Sequence, residues 1–410
     1  MINSGSVQQQ SPYLRILTPD QIYEIKRAAF DLMFTVGFKV MHAGARNMLK
    51  QAGAIVIDEL VKVPEYIVLE CLKTAPKGFT IYDREGNRVM EVEGRKSYYG
   101  TSTASPNTKD ALTGEVHPTR VADIAIGAKV ADACDNIDWV MPMGSCQDVP
   151  AIAADLHEFQ AVVTHTTKPI IFIGYTPRGT EIVYEMAAEV AGGMDNLKQK
   201  PFLILYPEPI SPMVQPADVV DRIFQAADLF MPQVPGPAVQ VGATGPCTLA
   251  GTITQITAES LMCLTLAQLR RPGCPVCLSG NVQILDMAMV CSAAQLLLGN
   301  EAIGMTKRFI AGIRVDQETI ARHVVENVGP GGHFLNEAHT VKHFRNELWR
   351  SDLLTRQPYE TWKAEGSKDL SQRIQERLTD IVETHEVAPL ADRVSNSLEK
   401  IKQKGEAELT

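Results

Sequence analysis

The glycine motifs that hold phosphate groups are missing from this sequence of 410 residues. No G-x-G-x-x-G follows the apolar run "SYYG", and no G-x-x-x-x-G-K-[ST] occurs anywhere in the chain. Such loops bring backbone N–H groups against a pyrophosphate or nucleotide, so their absence argues against a dinucleotide-binding protein and a P-loop enzyme. We do not expect a phosphorylated substrate.

A positive charge excess is also missing, because 39 Lys and Arg residues face 48 Asp and Glu residues and the net charge is −9. Nucleic acids and anionic membranes bind basic surfaces, so neither is an expected partner. The longest apolar run, "LDMAMVCSAAQLLLG", is too short to span a bilayer. No secretory signal is visible, and the eight cysteines lie in apolar segments, which predicts a reduced cytoplasmic protein.

The sequence has one C-x-x-C motif, Cys274-Pro-Val-Cys277, and no second one that would complete a zinc ribbon. A redox C-x-x-C opens a helix, whereas "GCPVCLSGN" has the composition of a strand. We therefore predict structural thiols at this motif.

Residues 1–95 are predicted to form an N-terminal α+β extension. Thr18, Pro19 and Gln21 give the capping box and first-turn proline of a helix. Two alternating runs flank the turn residues 83–87, which indicates a β-hairpin.

From residue 96 onward, short apolar runs alternate with helical stretches. The runs are "SYYGTST" (97–103), "DWVMPMGS" (138–145), "PIIFIGYT" (169–176), "FLILYPEP" (202–209), "AVQVGATG" (238–245) and "PVCLSGN" (275–281). The later runs begin roughly 31 to 37 residues apart, about one βα unit each. This pattern favours a TIM-type (β/α)8 barrel over residues 96–345, with a doubly wound sheet as the alternative. Residues 346–410 are predicted to be C-terminal helices.

Barrel enzymes carry their chemistry at the C-terminal ends of the strands. The residues at those ends are rich in tyrosine, hydroxyl and amide groups and poor in Lys and Arg. Tyrosines beside one or two carboxylates suit a cationic ligand, because aromatic faces attract quaternary ammonium groups.

Three histidines gather in "VGPGGHFLNEAHTVKHFR". His339 and His343 share one face of a helix, and with His333 they offer one alternative, a metal-dependent barrel hydrolase. However, "HTVKH" lacks the embedded base of H-E-x-x-H, and we expect no metal. His333 follows a Gly-Pro-Gly-Gly turn that allows close approach to a ligand, so it is either a substrate contact or a structural histidine.

The segments "YPEPISPM", "GATGPCTLAGTITQITAESLMCLTLAQLRRPGCPV", "GPGGHFL" and "DLLTRQPYETWKAEGSKDL" resemble the trimethylamine methyltransferase superfamily. The resemblance covers nearly the whole chain from about residue 15. It implies a TIM barrel that transfers a methyl group from a methylated amine to the Co(I) of cobalamin on a separate corrinoid protein. Members that act on trimethylamine carry pyrrolysine, which this sequence lacks, so the resemblance implies a quaternary amine such as glycine betaine as substrate.

Within that resemblance, we expect Tyr99, Tyr206 and Glu208 to hold the ammonium group and Gln240 to contribute to substrate binding. We expect His333 to act in catalysis, on the substrate's carboxylate or a positioning water. No cofactor is expected to be bound directly, and a homo-oligomer is left open.

The chain also departs from the family near residues 290–300. There "GNVQILDMAMVCSAAQ" runs almost directly into "LLLGNEAIGMTKRFIAGIRVD", which predicts an internal deletion and a barrel that lacks one βα unit. The alternative function is therefore a catalytically impaired paralogue that binds a betaine or the corrinoid protein.

Overall fold

The computed structural model describes residues 17–94, 96–102, 105–110, 113–241, 243–284, 292–310, 323–324, 327, 337–347, 351, 353–354 and 358–410. The side chains of 282–284, 305, 308–310 and 343–347 are outside this description. The chain is a mixed α/β protein.

The N-terminal part alternates helices with short strands. Its elements are α1 (Pro19–Thr35), β1 (Phe38–Val40), α2 (Ala43–Gln51), β2 (Ile55–Ile57), β3 (Leu60–Lys62), α3 (Glu65–Thr74), β4 (Gly78–Tyr82) and β5 (Arg88–Glu93). The predicted capping box at the start of α1 is confirmed, since the Thr18 side chain accepts from Gln21 N and the Gln21 side chain accepts from Thr18 N. The predicted hairpin is confirmed as antiparallel β4 and β5.

The middle of the chain alternates strands and helices. Its elements are β6 (Asn107–Lys109), β7 (Val116–Pro118), α4 (Val121–Ala133), α5 (Ala154–His165), β8 (Ile170–Phe172), α6 (Pro177–Ala191), α7 (Met194–Gln199), β9 (Leu203–Leu205), β10 (Val214–Gln215), α8 (Ala217–Leu229), β11 (Ala238–Val241), α9 (Leu249–Arg270) and β12 (Asn281–Ile284).

Six segments pair in parallel and in chain order; we call this surface the parallel wall. They are the segments at Gly100, at Trp139–Val140, β8, β9, and the segments at Gln233 and Val276. Beyond the last two, β11 and β12 continue the parallel pairing. The fifth segment thus begins upstream of the predicted run 238–245. The segment at Val276 lies within the C-x-x-C motif, which confirms its extended conformation.

The hairpin of β4 and β5 lies at the N-terminal ends of the parallel wall. Tyr82 N donates to Pro201 O at 2.9 Å and Arg84 N donates to Thr167 O at 2.8 Å, and these acceptors precede β9 and β8. The N-terminal sheet is joined to the segment between β9 and α8, because β1 pairs in parallel with β10.

The C-terminal part of the chain has five described helices, and the first, fourth and fifth of them pack on helices α4 to α6 beside the first half of the parallel wall. They are α10 (Ala293–Ile310), α11 (Ala338–Glu347), α12 (Tyr359–Ala364), α13 (Leu370–Thr384) and α14 (Asp392–Leu409). Helix α10 packs on α4, the helix that follows the first wall segment, while α14 packs on α5 and α6. The chain therefore returns to the start of the wall after six segments. Within the described residues, the strand pairings form no closed ring, and no helix is long and apolar enough to cross a membrane.

Candidate active site

The interior face of the parallel wall is apolar near the hairpin. Ile81 and Met90 of the hairpin form one buried cluster with Ile171 of β8, Ile204 of β9 and Tyr206. Because successive side chains of a strand alternate between faces, Glu208 follows Ile204 and Tyr206 on the interior side. Residues after Tyr206 therefore lie toward the C-terminal ends of the strands, away from the hairpin.

The Tyr206 ring is buried and held from two sides. A Cβ atom at Gly236 would lie 1.7 Å from Tyr206 Cζ, so only glycine leaves room for the ring. The phenol oxygen accepts a hydrogen bond from Asn281 Nδ2 at 2.5 Å. Burial raises the pKa of Tyr206, which keeps the phenol neutral and able to donate.

Glu208 has the surroundings of a ligand-binding carboxylate. It is half-buried, and within the described part of the chain no hydrogen bond or ion pair engages it. Burial raises the pKa of Glu208, and the nearby positive charge of Arg222 opposes that rise. The carboxylate is thus partly desolvated and keeps its acceptor capacity for a cation.

Gln240 shares the interior face with Asn281. In the parallel pairing of β11 and β12, Ala238 stands opposite Asn281, and Gln240 lies on the same side as Ala238. A Cβ at Gly280 would lie 1.9 Å from Ile256 of α9, so Gly280 faces α9 and Asn281 faces the interior. The structure therefore brings Tyr206, Glu208 and Gln240 to one face.

Trp139 adds an aromatic surface to the interior nearer the hairpin than Tyr206, and it was not selected from the sequence. Its ring lies over Gly100, whose Cβ would come within 2.1 Å of it, and it packs on the interior cluster beside Tyr98. The alternation of Trp139 with the buried Met141 was the signal that could have identified it.

Tyr99 is not brought to this group. Its neighbour Tyr98 packs on the interior cluster, so Tyr99 points to the opposite face. There Lys307 Nζ of α10 lies 5.8 Å from the Tyr99 ring centroid and pairs with Asp138 at 2.8 Å. On this geometry, Tyr98 is the tyrosine of the pair that faces the interior.

The histidine cluster cannot be assembled from the described residues. His333 lies outside them, and so does the side chain of His343. The His339 ring stacks edge-on with His323 at 6.3 Å between centroids. Among the described residues, no three His, Cys, Asp or Glu side chains are placed to hold a metal ion.

A hydrogen-bonded network stands at the rim where β8 ends. Tyr175 Oη lies 3.0 Å from Ser145 Oγ and 3.0 and 3.1 Å from the two carboxyl oxygens of Glu158. Cys146 N also donates to Glu158, at 3.0 Å. Burial raises the pKa of Glu158 to about 7. Burial, with the charge of Glu158, also raises the pKa of Tyr175.

A second buried acid lies one turn before Glu158. Asp155 Oδ2 accepts from Tyr175 N at 3.0 Å, and burial raises the pKa of Asp155 to about 6. The positive charge of Arg222, which pairs with Asp218 at 3.0 Å, opposes this rise in the pKa of Asp155. The i, i+3 spacing of the two acids on α5 predicts a shared face, but not that this face is buried.

The model of the trimethylamine methyltransferase (MTTB) family matches residues 2–289 and 283–410. The chain is 25% identical to the trimethylamine methyltransferase MttB of Desulfitobacterium hafniense over 484 aligned residues, covering 100% of this chain and 97% of the relative. It is 26% identical to MttB of Methanosarcina thermophila, covering 92% of this chain and 94% of that relative. It is 24% identical to the glycine betaine methyltransferase of Desulfitobacterium hafniense strain Y51, covering 94% and 95%.

Two features of these matches concern the length of the chain. The first alignment is 484 positions long and holds all 410 residues, so 74 of its positions have no residue from this chain. The family model matches in two pieces, which overlap over residues 283–289.

Proposed function

Because the chain belongs to the trimethylamine methyltransferase family, we propose that it moves a methyl group from a small quaternary amine of the glycine betaine type to the Co(I) of a corrinoid on a separate protein. The observation that carries this proposal is the Glu208 carboxylate, which no described residue engages by hydrogen bond or ion pair and whose charge acts on the nearby Tyr206 phenol. The corrinoid is the methyl acceptor and therefore a second substrate. We place the reaction in the cytoplasm.

The substrate class follows from the chemistry of the nitrogen. A quaternary nitrogen already carries its positive charge, so loss of a methyl group leaves a neutral tertiary amine and the transfer step needs no general acid. The sequence contains only the twenty ordinary amino acids, without the pyrrolysine that the family resemblance connects with trimethylamine. Both features favour a quaternary amine.

The proposed roles follow the geometry of the interior face. Tyr206 offers an aromatic face to the ammonium group, and Glu208 offers the counter-charge. Asn281 fixes the Tyr206 ring, and Gln240 offers an amide to a polar group of the substrate. The protein would thus act by holding the N–CH3 bond in line with the acceptor. A role for His333 remains a prediction.

We propose that the parallel wall belongs to a TIM-type barrel with fewer βα units than its relatives. The in-order parallel pairing supports the barrel, and the return of α10 to α4 after six segments supports the shortening. The 74 unmatched positions and the two-piece match support the predicted deletion near residues 290–300. The same observations favour one alternative function, a paralogue that binds a betaine or the corrinoid protein without methyl transfer.

The test is methyl transfer to cobalamin reduced chemically or photochemically to Co(I), followed by its visible spectrum. The amines are trimethylamine, glycine betaine, proline betaine, carnitine and γ-butyrobetaine. We expect methyl-Co(III) with one quaternary amine and none with trimethylamine. Transfer from trimethylamine alone would contradict the substrate class. Calorimetric betaine binding by folded protein, without transfer in the presence of a family corrinoid protein, would favour the non-catalytic alternative.

A further inference from the structure

The chain that carries Glu208 continues into a small turn between β9 and α8. Two residues after Glu208, Ile210 and Val214 exchange both of their backbone hydrogen bonds, at 3.1 and 2.9 Å. Residues 211–213 form the bend between them. The polar groups of a bend this tight need partners elsewhere in the protein. The position of the chain at Glu208 therefore depends on what the bend contacts.

Glu259 of α9 holds this bend from inside the protein. Ser211 Oγ donates to one of its carboxyl oxygens at 2.6 Å, and Met213 N donates to the other at 3.0 Å. Glu259 is fully buried, and no charged group of the described chain pairs with it. Because a buried carboxyl group is stable only with donors, the helix and the bend are fixed to each other.

Gln255 connects Glu259 to a second loop of the proposed site. It lies one helical turn before Glu259, so the two side chains share one face of α9. Gln255 Nε2 donates to Glu259 Oε1 and to Thr244 O, both at 2.9 Å. Thr244 Oγ1 in turn accepts from Gln240 N at 2.9 Å. Hydrogen bonds thus run without a break from the bend after Glu208 to the backbone of Gln240.

Helix α9 gives these two side chains a fixed support. It packs on α1 and α3 of the N-terminal part and on α8. The bend is also tied to the N-terminal sheet, since Lys39 N donates to Met213 O at 3.0 Å. The N-terminal part and α9 therefore hold the same bend from two directions.

We propose that Glu259, together with Gln255, is a positioning residue that sets the distance between the Glu208 carboxylate and the Gln240 amide. Methyl transfer requires one orientation of the N–CH3 bond, so the groups that hold the two ends of the amine must keep a fixed separation. Glu259 and Gln255 act through the two loops and not by contact with the amine. This inference rests on the proposed function, which assigns Glu208 and Gln240 to the amine.

The test compares wild type with Glu259→Gln, using calorimetry with the amine of the panel above that wild type binds most tightly. Asp132→Asn is the matched control. Asp132 is also largely buried and is held by one hydroxyl, one backbone N–H and one further side chain, those of Thr166, Thr167 and His385. These partners include the two residues that lead to β8, at the N-terminal end of the parallel wall.

We expect Glu259→Gln to lower the affinity for the amine roughly tenfold, about the loss of one hydrogen bond to it. Asp132→Asn should leave the affinity unchanged. In a Glu208→Gln background, Glu259→Gln should cost less affinity than it does in wild type, because the two residues act on the same contact. Hydrogen exchange at the Met213 amide should be faster in Glu259→Gln only.

The outcomes separate this inference from the proposed function. Wild-type affinity in Glu259→Gln, or an equal loss of affinity in both backgrounds, would overturn the inference and leave the proposed function intact. A wild type that neither binds nor demethylates any amine of the panel would overturn the proposed function, and the positioning role with it. If Glu259→Gln does not fold, Ser211→Ala decides, since it removes one donor from the bend and leaves Glu259 its other two. Wild-type affinity in that variant would overturn the inference.

Discussion

Glu208 and Glu158 are two carboxyl groups at one end of the parallel wall, and they differ in what surrounds them. Burial raises the pKa of both. Glu158 accepts hydrogen bonds from Tyr175 and Cys146, whereas no hydrogen bond or ion pair engages Glu208 within the described chain. The hydrogen-bond acceptor sites of Glu208 that the described protein leaves unfilled are available to a ligand. On Glu158, the protein's own donors occupy those sites and fix where the carboxyl proton lies.

The largest effect is expected at Gly236, against which the Tyr206 ring packs. Gly236→Ala would place a Cβ atom 1.7 Å from Tyr206 Cζ, so the ring must leave its position. We expect amine binding to be lost and the free energy of unfolding to fall by about 3 kcal/mol, the upper part of the overpacking range. Calorimetry with the amine and urea unfolding measure the two effects.

Gly299→Ala is the matched control for this change. Gly299 lies in α10, and its Cβ would meet no atom within 4 Å. Replacing a helical glycine by alanine should stabilise the protein by about 0.5 to 1 kcal/mol and leave binding unchanged. Equal behaviour of the two variants would show that the Tyr206 ring does not depend on Gly236.

The next prediction concerns Glu158, the carboxyl group that accepts hydrogen bonds from Tyr175 and Cys146. Because the folded protein binds the Glu158 proton more tightly than the unfolded chain does, Glu158 stabilises the fold fully below pH 4.5. That stability is lost as pH rises toward about 7. The gap between these two values corresponds to about 3 kcal/mol. Glu158→Gln should therefore match wild type near pH 4.5 and be more stable than wild type above pH 7.

Urea unfolding between pH 4.5 and 8 measures this difference. Glu24→Gln on α1 is the control, because it removes one exposed carboxylate from the surface of the N-terminal part. A wild type and a Glu158→Gln variant with parallel stability curves across this range would contradict a proton stored at Glu158.

Local chemistry in the sequence predicted the parts of the fold that depend on few residues. The capping box of α1 and the turn of the β4–β5 hairpin follow from side chains within a few positions of each other. The apolar runs at β8 and β9 predicted two buried parallel strands, and both are confirmed. The fifth segment begins earlier than its run, because Gln233 pairs with both Leu205 and Val276 although it is polar.

The site was predictable only in part, for reasons that depend on tertiary contacts. Tyr206 and Glu208 share a face because strands alternate, so their pairing follows from the sequence. Alternation also places Tyr98 and Tyr99 on opposite faces, but it does not say which of the two faces the interior. That depends on the neighbouring residues that pack against each face. The burial of Glu158 depends on Tyr175, which follows it by 17 positions, so its helix alone gave no signal.

The smallest of the three effects is expected at Glu208, the carboxylate that no described residue engages by hydrogen bond or ion pair. Glu208→Gln removes a partly buried charge from the proposed ammonium site without changing the size of the side chain. We expect the affinity for the quaternary amine to fall by about 2 kcal/mol, or about thirtyfold, with little change in stability. In wild type, affinity should also decline on acidification, because the carboxylate binds the cation only when ionised. This decline should begin above pH 4.5, since burial raises the pKa of Glu208.

Asp132→Asn is the matched control, because Asp132 is a largely buried carboxyl group whose acceptor capacity is filled by Thr166, Thr167 N and His385. It should lower stability and leave the affinity for the amine unchanged, which is the reverse of the result expected at Glu208. If both variants bind the amine like wild type, the cation is held elsewhere, and the missing hydrogen bonds of Glu208 do not mark a ligand site. If only Glu208→Gln loses affinity and its pH dependence, the contrast between filled and unfilled carboxyl groups identifies the binding site.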